Sequence, residues 1–177
     1  MSVEAMNDVL ALCHVPRWSI VPVLRSQSVG EHSFRATIIY LEMCSNLDLA
    51  VDIRGLCWVL IHDGAESRTG DVPAGCDSTP LESDVCAWWH RSKSIVSDRD
   101  RDLVKVADYI ETASYVTMYG VGSHAAGVAW EARERALLKA EQAGRDHGLP
   151  RLQEVASKLY DDIVSERGRF VKAGGVR

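Results

Sequence analysis

Apolar residues recur at three- and four-residue spacing along most of the chain, which predicts α-helices rather than strands. In the first segment Met6, Val9, Leu10 and Cys13 follow this spacing, so we expect a helix over about residues 3–13, ahead of Pro16. Further helices are predicted over about residues 28–46, 51–67, 81–94, 98–119, 123–144 and 150–171. Few runs alternate at period two, so the predicted fold class is all-α.

The sequence also predicts where the second helix starts and what precedes it. Ser28 followed three residues later by Glu31 is a capping-box pattern, which places a helix start at residue 28. Residues 14–27 contain Pro16 and Pro22, so this connector is expected to be irregular. Such a connector is free to fold over a pocket, as functional loops do.

Length, composition and charge limit the function. The chain has 177 residues, 46% of them hydrophobic, which predicts one globular domain over residues 1–177 with room for a buried active site. The formal net charge is −5 and no long block of Lys and Arg occurs, which argues against binding of long nucleic acid. A mononucleotide remains compatible with this charge if a metal and a few cations neutralise it.

The cysteines and the apolar runs indicate the compartment. Five cysteines form no Cys-x-x-Cys pair, and the first residues lack the basic and apolar regions of a signal peptide. We therefore expect a reduced, cytoplasmic chain. The longest apolar stretch, around residues 56–61, is far too short to span a membrane, so no membrane partner is expected. No Gly-rich phosphate loop occurs either, which favours metal-centred phosphate chemistry.

The adjacent pair His62-Asp63 stands inside an apolar run. An imidazole beside a carboxylate on an otherwise oily helix is costly to bury unless something binds both, and a divalent metal is the commonest such partner. His32 and Asp108 could complete a set of two histidines and two aspartates. The alternative is that His62 is a core histidine with satisfied hydrogen bonds and Asp63 a helix cap.

Two further carboxylates follow the pair. Glu66 comes four residues after His62, which on a continuous helix puts both on one face, and Asp71 follows Gly70 on a predicted loop. Hydrolysis needs one group to take a proton from the attacking water and one to protonate the leaving oxygen, and two carboxylates can divide these tasks. The alternative is that both are ordinary helix-end and turn residues.

These motifs together resemble one family. The sequences Arg17-Trp18, Ser28–Ser33 with His32, His62–Glu66, Thr69–Pro73 and Lys105–Asp108 agree in order and spacing with the HD-domain 5'-deoxynucleotidases over about residues 16–112. The resemblance implies a single HD-domain helical bundle. It also implies a metal held by His32, His62, Asp63 and Asp108, acid/base roles for Glu66 and Asp71, and contacts of Arg17 and Trp18 with the substrate's phosphate and sugar.

A narrower branch is also similar, the small phage enzymes that hydrolyse dATP to deoxyadenosine and triphosphate. Trp18-Ser19-Ile20 fits their purine-pocket stretch, with Ile20 able to crowd the edge of a base, and residues 74–77 lack the lysine usual in the bacterial nucleotidases. This branch predicts a dATP triphosphohydrolase. The alternatives are a 5'-deoxynucleotidase acting on deoxynucleoside monophosphates, and a nucleotide-binding HD protein without turnover.

The resemblance also sets expectations for ligands and assembly. A histidine and aspartate set suits Zn, Co or Mn, with Mg on the phosphates. Lys105, one turn before Asp108, either binds phosphate or pairs with a carboxylate. Other candidate cations for a polyphosphate are Arg25, Arg35, Arg68, Arg91 and Lys93. A purine deoxynucleotide, a homo-oligomer and, for a phage-encoded protein, the host cytoplasm complete the expectations.

Overall fold

The computed structural model describes residues 3–71 and 87–173, with side chains described as far as residue 165. In this part of the chain the backbone forms helices and two isolated antiparallel bridges, with no β-strand. The helices are α1 (Val3–Ala11), α2 (Val29–Asn46), α3 (Ile53–Ile61), α4 (Glu66–Thr69), α5 (Ala87–Ser94), α6 (Asp98–Tyr119), α7 (Gly122–His147) and α8 (Leu152–Ala173). The predicted all-α class is confirmed.

Most predicted helix ends agree with the structure. Helices α7 and α8 differ from the predicted spans 123–144 and 150–171 by at most three residues at either end. The first helix ends at Ala11 and continues as a 3₁₀ turn, Leu12–His14, instead of staying α-helical to residue 13. Of the helix predicted over residues 81–94, only residues 87–94 lie in the described part of the chain, where they form α5.

Side-chain caps fix the starts of the helices that carry the site. The Ser28 hydroxyl accepts a hydrogen bond from the Glu31 backbone N–H at 3.1 Å, as the sequence predicts, and Ser97 does the same for the Asp100 N–H at 3.0 Å. The Glu31 side chain does not complete the box, because it pairs with Arg25 at 2.9 Å. Each cap satisfies a backbone donor that the first helical turn leaves open.

Helix α6 is the central element. It packs against α2, α3, α7 and α8, and its buried residues surround most of the helix. Helix α7 lies along it through a row of small side chains at three- and four-residue spacing, which lets the two helices approach closely. These are Ala125, Ala129, Ala132, Ala136, Ala140 and Ala143. The buried set of α6 also includes Asp108 and Glu111, so the core helix itself carries polar groups.

The helix predicted over residues 51–67 is interrupted, which corrects one expectation. Helix α3 ends at Ile61, and residues 62–65 turn before α4 begins at Glu66. In this turn the backbone forms i to i+3 hydrogen bonds, such as Gly64 N–H to Ile61 O at 2.8 Å. Side chains bind two of the carbonyl groups: the His62 ring contacts Val59 O at 2.7 Å, and Trp89 Nε1 donates to His62 O at 2.8 Å. His62 and Glu66 therefore do not share one continuous helical face.

Gly64 makes this turn possible. A Cβ at this position would lie 2.7 Å from Trp88 and 2.8 Å from the Ile61 carbonyl, so a side chain cannot be accommodated without movement. Trp89 is buried in the core and Trp88 packs against it. The aromatic pair thus closes the underside of the turn that presents His62 and Asp63.

Three cysteines lie in the described residues with free thiols: Cys13 and Cys57 are exposed and Cys44 is buried. Cys76 and Cys86 fall outside the described residues, as do the positions 74–77 at which the sequence departs from the bacterial nucleotidases. Among the helices that are described, none is long and apolar enough to cross a membrane.

Candidate metal centre and active site

Three helical segments bring the predicted metal ligands together. His32 lies in the first turn of α2, His62 and Asp63 directly follow α3, and Asp108 lies in the middle of α6. Donor atoms of His32, His62 and Asp108 all lie within 4.8 Å of one another, which is close enough for one ion to contact all three. His32 is completely buried, and Asp108 is 7% exposed.

Both imidazole rings have a hydrogen-bond partner at Nδ1, and the two partners differ. His62 Nδ1 lies 2.7 Å from the Val59 carbonyl, which can only accept, so Nδ1 carries the hydrogen. His32 Nδ1 lies 2.6 Å from Glu111 Oε2, which as a carboxylate also accepts. Both Nε2 atoms are buried and lack a well-aligned hydrogen bond to any described residue. Each ring therefore turns its free nitrogen to the inside of the site.

The free nitrogens face carboxylate oxygens. His32 Nε2 lies 3.2 Å from Asp108 Oδ1 and 3.5 Å from Asp63 Oδ2, and His62 Nε2 lies 3.4 Å from Asp63 Oδ1. Neutral imidazole lone pairs and carboxylates repel at such distances unless a cation lies between them. The donor set of imidazole nitrogen and carboxylate oxygen therefore fits a divalent transition metal.

The pKa shifts show the same need for positive charge. Although burial and Arg17 oppose protonation, Glu111 and Asp108 raise the pKa of His32 to about 9, so a proton compensates the carboxylates in the metal-free protein. Burial also opposes ionisation of Asp108, but Lys105 and the two histidines hold its pKa well below the usual value. A bound divalent cation would replace the proton on His32.

Asp63 is placed differently from the other three predicted ligands. Its Oδ2 is 3.1 Å from Arg17 Nη1, and its oxygens are 3.4 to 3.5 Å from the two Nε2 atoms. Despite its burial, His62 and His32 keep the pKa of Asp63 below the usual value. Asp63 thus lies between the histidines and the guanidinium, where one carboxylate can contact both a metal and Arg17.

Glu66 and Asp71 lie beside this cluster, where burial and neighbouring carboxylates disfavour the ionised form of a carboxyl group. Burial, with the charges of Asp63 and Asp71, raises the pKa of Glu66 to about 9, and Glu66 Oε2 is buried without a hydrogen-bond partner among the described residues. Burial likewise raises the pKa of Asp71, although Arg17 and the Trp18 backbone N–H, 3.3 Å away, oppose the shift. Each of the two carboxyl groups therefore keeps its proton to a higher pH than it would in water.

A cavity of about 590 Å³ opens in front of the cluster, within the size range of small-molecule sites. Eight of the predicted site residues line it: Arg17, Trp18, Ile20, Asp63, Glu66, Asp71, Lys105 and Asp108. His32 and His62 contact Asp63 and Asp108 from behind. The cavity wall opposite these residues comes from α7, including His124, Gly127, Val128 and Arg135, which the sequence did not indicate.

The predicted substrate residues belong to the connector and to α6. Trp18 stacks on Tyr115 with 5.9 Å between ring centroids and 5° between planes, and it adopts a positive φ of 69°. A non-glycine residue in that conformation costs on the order of 1 kcal/mol and persists only where its surroundings enforce it. Ile20 is 62% exposed at the cavity.

Lys105, on α6, pairs with a carboxylate, which is one of its two predicted roles. Its Nζ lies 2.7 Å from Asp108 Oδ2 and over the Tyr109 ring. The Lys105 side chain also lines the cavity.

The other candidate cations are placed elsewhere. Arg25 pairs with Glu31, Arg35 with Glu111 and Arg68 with Asp8. None of these three, nor Arg91 or Lys93, lines the cavity formed by the described residues. Their candidacy as polyphosphate contacts gains no support from the cavity lining.

Glu111, behind His32, is a further site residue that sequence reasoning missed. It is completely buried, and it contacts His32 Nδ1 at 2.6 Å, Arg35 Nε at 2.6 Å and Gln27 Nε2 at 2.8 Å. Despite its burial, His32 and Arg35 keep its pKa below the usual value. A signal existed: Glu111 follows Asp108 by three residues and thus shares its helical face.

Comparison with known proteins identifies sequences that are similar to this chain. The HD-domain family model matches residues 10–85. A dATP triphosphohydrolase of cyanophage S-2L is 27% identical over 126 residues, covering 66% of this chain and 71% of the relative. A dATP triphosphohydrolase of Salmonella phage PMBT28 is 24% identical over 185 residues, covering 94% and 95% of the two chains.

Solved structures share the fold. The cyanophage S-2L HD phosphohydrolase, bound to dA and one catalytic Zn²⁺ ion, superposes with a TM-score of 0.80 at 21% identity, covering 90% of this chain and 96% of the other. An HD-domain phosphohydrolase of Listeria innocua gives a TM-score of 0.60 at 15% identity, covering 93% and 90%. Together with the match of residues 10–85 to the HD-domain family model, these likenesses show that the chain has the fold of HD-domain phosphohydrolases.

Proposed function

We propose that this chain is a metal-dependent deoxynucleotide phosphohydrolase that cleaves dATP to deoxyadenosine and triphosphate. The observation that carries the proposal is the pair of buried Nε2 atoms, on His32 and His62, that face Asp63 and Asp108 beneath a nucleotide-sized cavity. Arg17 and two carboxyl groups with raised pKa values line the same cavity. The phage relatives, both dATP triphosphohydrolases, support the choice of substrate.

The metal ligands are proposed to be His32, His62, Asp63 and Asp108. Zn is the preferred ion, since the S-2L phosphohydrolase holds a catalytic Zn²⁺, and Co or Mn would suit the same donors, with Mg on the phosphates. When bound, the metal supplies Lewis-acid polarisation of a phosphoryl oxygen and lowers the pKa of the attacking water.

The reaction needs the α-phosphate held against this cluster. Arg17 offers planar bidentate donors to phosphate, and its buried Nε has no hydrogen-bond partner among the described residues. Lys105 adds a second positive charge at the cavity wall. Water attacks the α-phosphorus, a new P–O bond forms, and the bond from phosphorus to O5' breaks, which leaves deoxyadenosine and triphosphate.

Glu66 and Asp71 are proposed to move the protons. One carboxylate accepts a proton from the attacking water, and one carboxylic acid donates a proton to the departing O5'. Glu66 is favoured as the acid because its raised pKa keeps a proton on it at neutral pH in the metal-free site. Asp71 is favoured as the base because Arg17 and the Trp18 N–H stabilise its ionised form.

Trp18 and Ile20 are proposed to select the nucleoside. Trp18 packed against the C2' edge of the sugar would exclude a ribose hydroxyl, and Ile20 against the C2 edge of adenine would exclude a 2-amino group. dATP should therefore be cleaved in preference to ATP, dGTP and 2-amino-dATP. A purine preference follows from the same contacts.

The chain is further proposed to act as one HD-type domain over residues 1–177 and to form a homo-oligomer. Val3, Met6 and Leu10 are exposed on one face of α1 and could pack against a second copy. Sedimentation equilibrium would test this assembly. The phage origin of the dATP triphosphohydrolase relatives supports the host cytoplasm as the place of action.

A product assay tests the proposed reaction. Purified protein is loaded with Zn, Co, Mn or Mg and incubated with each deoxynucleoside mono-, di- and triphosphate, and nucleosides and phosphates are separated by anion exchange. We expect deoxyadenosine and triphosphate in equal amounts from dATP. In ¹⁸O-labelled water the label should appear in triphosphate, because water attacks phosphorus and not C5'.

Other outcomes decide between the alternatives. Cleavage of dAMP, dGMP and dTMP alike, with dATP untouched, would replace the proposal with a 5'-deoxynucleotidase. Binding of metal and dATP without turnover by any metal form would support a nucleotide-binding protein instead.

A further inference from the structure

The Glu111 side chain links the two halves of the site. Its Oε2 contacts His32 Nδ1 at 2.6 Å, and its Oε1 accepts from Arg35 Nε at 2.6 Å and Gln27 Nε2 at 2.8 Å. Gln27 in turn accepts a hydrogen bond from Trp18 Nε1 at 2.8 Å. A continuous hydrogen-bonded chain therefore runs from the proposed nucleoside loop to a proposed metal ligand.

Burial makes this arrangement costly unless every partner is in place. Glu111, His32 and Gln27 are each 1% exposed or less. A buried carboxylate without compensation is strongly destabilising, and here Arg35 and the Gln27 amide satisfy one oxygen while His32 satisfies the other. The negative charge of Glu111 therefore lies directly beside the His32 ring.

The consequence for His32 follows from proton positions. An ionised carboxylate at 2.6 Å requires a hydrogen on Nδ1, so in the neutral ring the lone pair resides on Nε2, the atom that faces Asp63 and Asp108. A carboxylate behind a ligating histidine also makes the ring a stronger donor and fixes its direction. His62 obtains only orientation from its partner, the neutral Val59 carbonyl.

We propose that Glu111 is a positioning residue, which orients the His32 ring so that its Nε2 atom faces the metal. Gln27 connects the Trp18 loop to the same carboxylate through its hydrogen bonds with Trp18 and Glu111. The inference rests on the proposed metal site and goes beyond it, because it gives His32 and His62 unequal roles. Glu111 itself is completely buried and does not line the cavity formed by the described residues.

The substitution Glu111→Gln tests the proposal with little change in shape. An amide can turn its oxygen to only one side, so its NH₂ group must face a donor, either His32 Nδ1–H or the pair of Arg35 and Gln27. We expect Zn²⁺ affinity, measured by chelator competition, to fall about 10- to 100-fold. The matched control is Asp98→Asn on the same helix, because the Asp98 side chain is 80% exposed; its affinity should be unchanged.

A merely structural role gives a different result. Glu111→Gln would then lower the melting temperature of the metal-free protein, while Zn²⁺ affinity would stay within about twofold of wild type, and the proposal would be overturned. If wild-type protein bound no Zn²⁺, the proposed metal site would be wrong, which is a separate failure.

A measurement on the wild-type protein avoids any folding defect of the variant. Long-range ¹H–¹⁵N spectra of the Zn-loaded protein should show His32 with a proton on Nδ1 and a metal-shifted Nε2. A His32 that binds zinc through Nδ1, or carries its proton on Nε2, would overturn the proposal.

Discussion

The metal side and the nucleoside side of the cavity are built in different ways. His32, His62 and Asp108 belong to or directly follow packed helices, and each has a second contact that fixes its orientation. Trp18 and Ile20 belong to an irregular connector whose ends are tied by isolated bridges to Ser28 and Gly120. The proposed metal ligands are thus positioned by packed helices, whereas the residues proposed to select the nucleoside lie on an irregular connector.

The difference also appears in burial and strain. His32 is completely buried, whereas Ile20 is 62% exposed. Trp18 keeps its positive φ because the Tyr115 ring, the Gln27 amide and Asp71 hold it in place. We therefore expect substitutions at the metal side to abolish function outright and those at the connector to alter preference.

The largest effect is expected for His62→Ala. The variant lacks one of the four proposed ligands, so bound metal should be lost and the negative charges of Asp63 and Asp108 are left uncompensated. Turnover of dATP should then fall by more than about 1,000-fold. Elemental analysis and triphosphate release measure the two quantities. His14→Ala, at an exposed position in the 3₁₀ turn, is the matched control and should keep both. Full metal with normal turnover in His62→Ala would contradict the metal-side assignment.

Glu66→Gln separates proton transfer from metal binding. The amide keeps the shape but cannot exchange a proton, so kcat should fall about 100- to 10,000-fold while metal content stays at the wild-type level. Glu42→Gln, on the exposed face of α2, is the control. An unchanged kcat would make Glu66 a structural residue.

Ile20→Ala tests the nucleoside side. Loss of the branched side chain should relax discrimination between dATP and dGTP by about 1–3 kcal/mol, roughly 10- to 200-fold in the ratio of kcat/KM values. Leu24→Ala is the control, because Leu24 lies on the same connector, is 73% exposed and does not line the described cavity. If both variants retained wild-type preference, base selection would have to lie elsewhere, with the α7 wall as the next place to test.

Trp18→Phe should give the smallest effect. The change keeps a ring against Tyr115 but removes the indole N–H that donates to Gln27, and one such hydrogen bond contributes about 1 kcal/mol. KM for dATP should rise about fivefold, with metal affinity unchanged. Trp130→Phe, at a 63% exposed position on α7, is the control. A loss of metal from Trp18→Phe would contradict the separation of the two sides, because it would show that the connector also controls metal binding.

Local sequence patterns predicted most of the helices, the Ser28 cap and the residue types of the candidate site. Ser28 starts α2 through its own hydroxyl, and apolar spacing places α6 with Lys105 and Asp108 toward one cavity, because helix periodicity and capping are local properties of the chain. The resemblance to HD-domain proteins added the grouping of His32, His62, Asp63 and Asp108.

The way these residues face one another depends on how the helices pack. Trp88 and Trp89 approach Gly64 closely in the break after Ile61, Arg35 pairs with Glu111, and His124 and Arg135 line the cavity from α7. The ring orientation of His32 depends on Glu111, 79 positions away in the chain. Such contacts join residues distant in sequence, and no local pattern encodes them, because their energies arise only when the helices have packed.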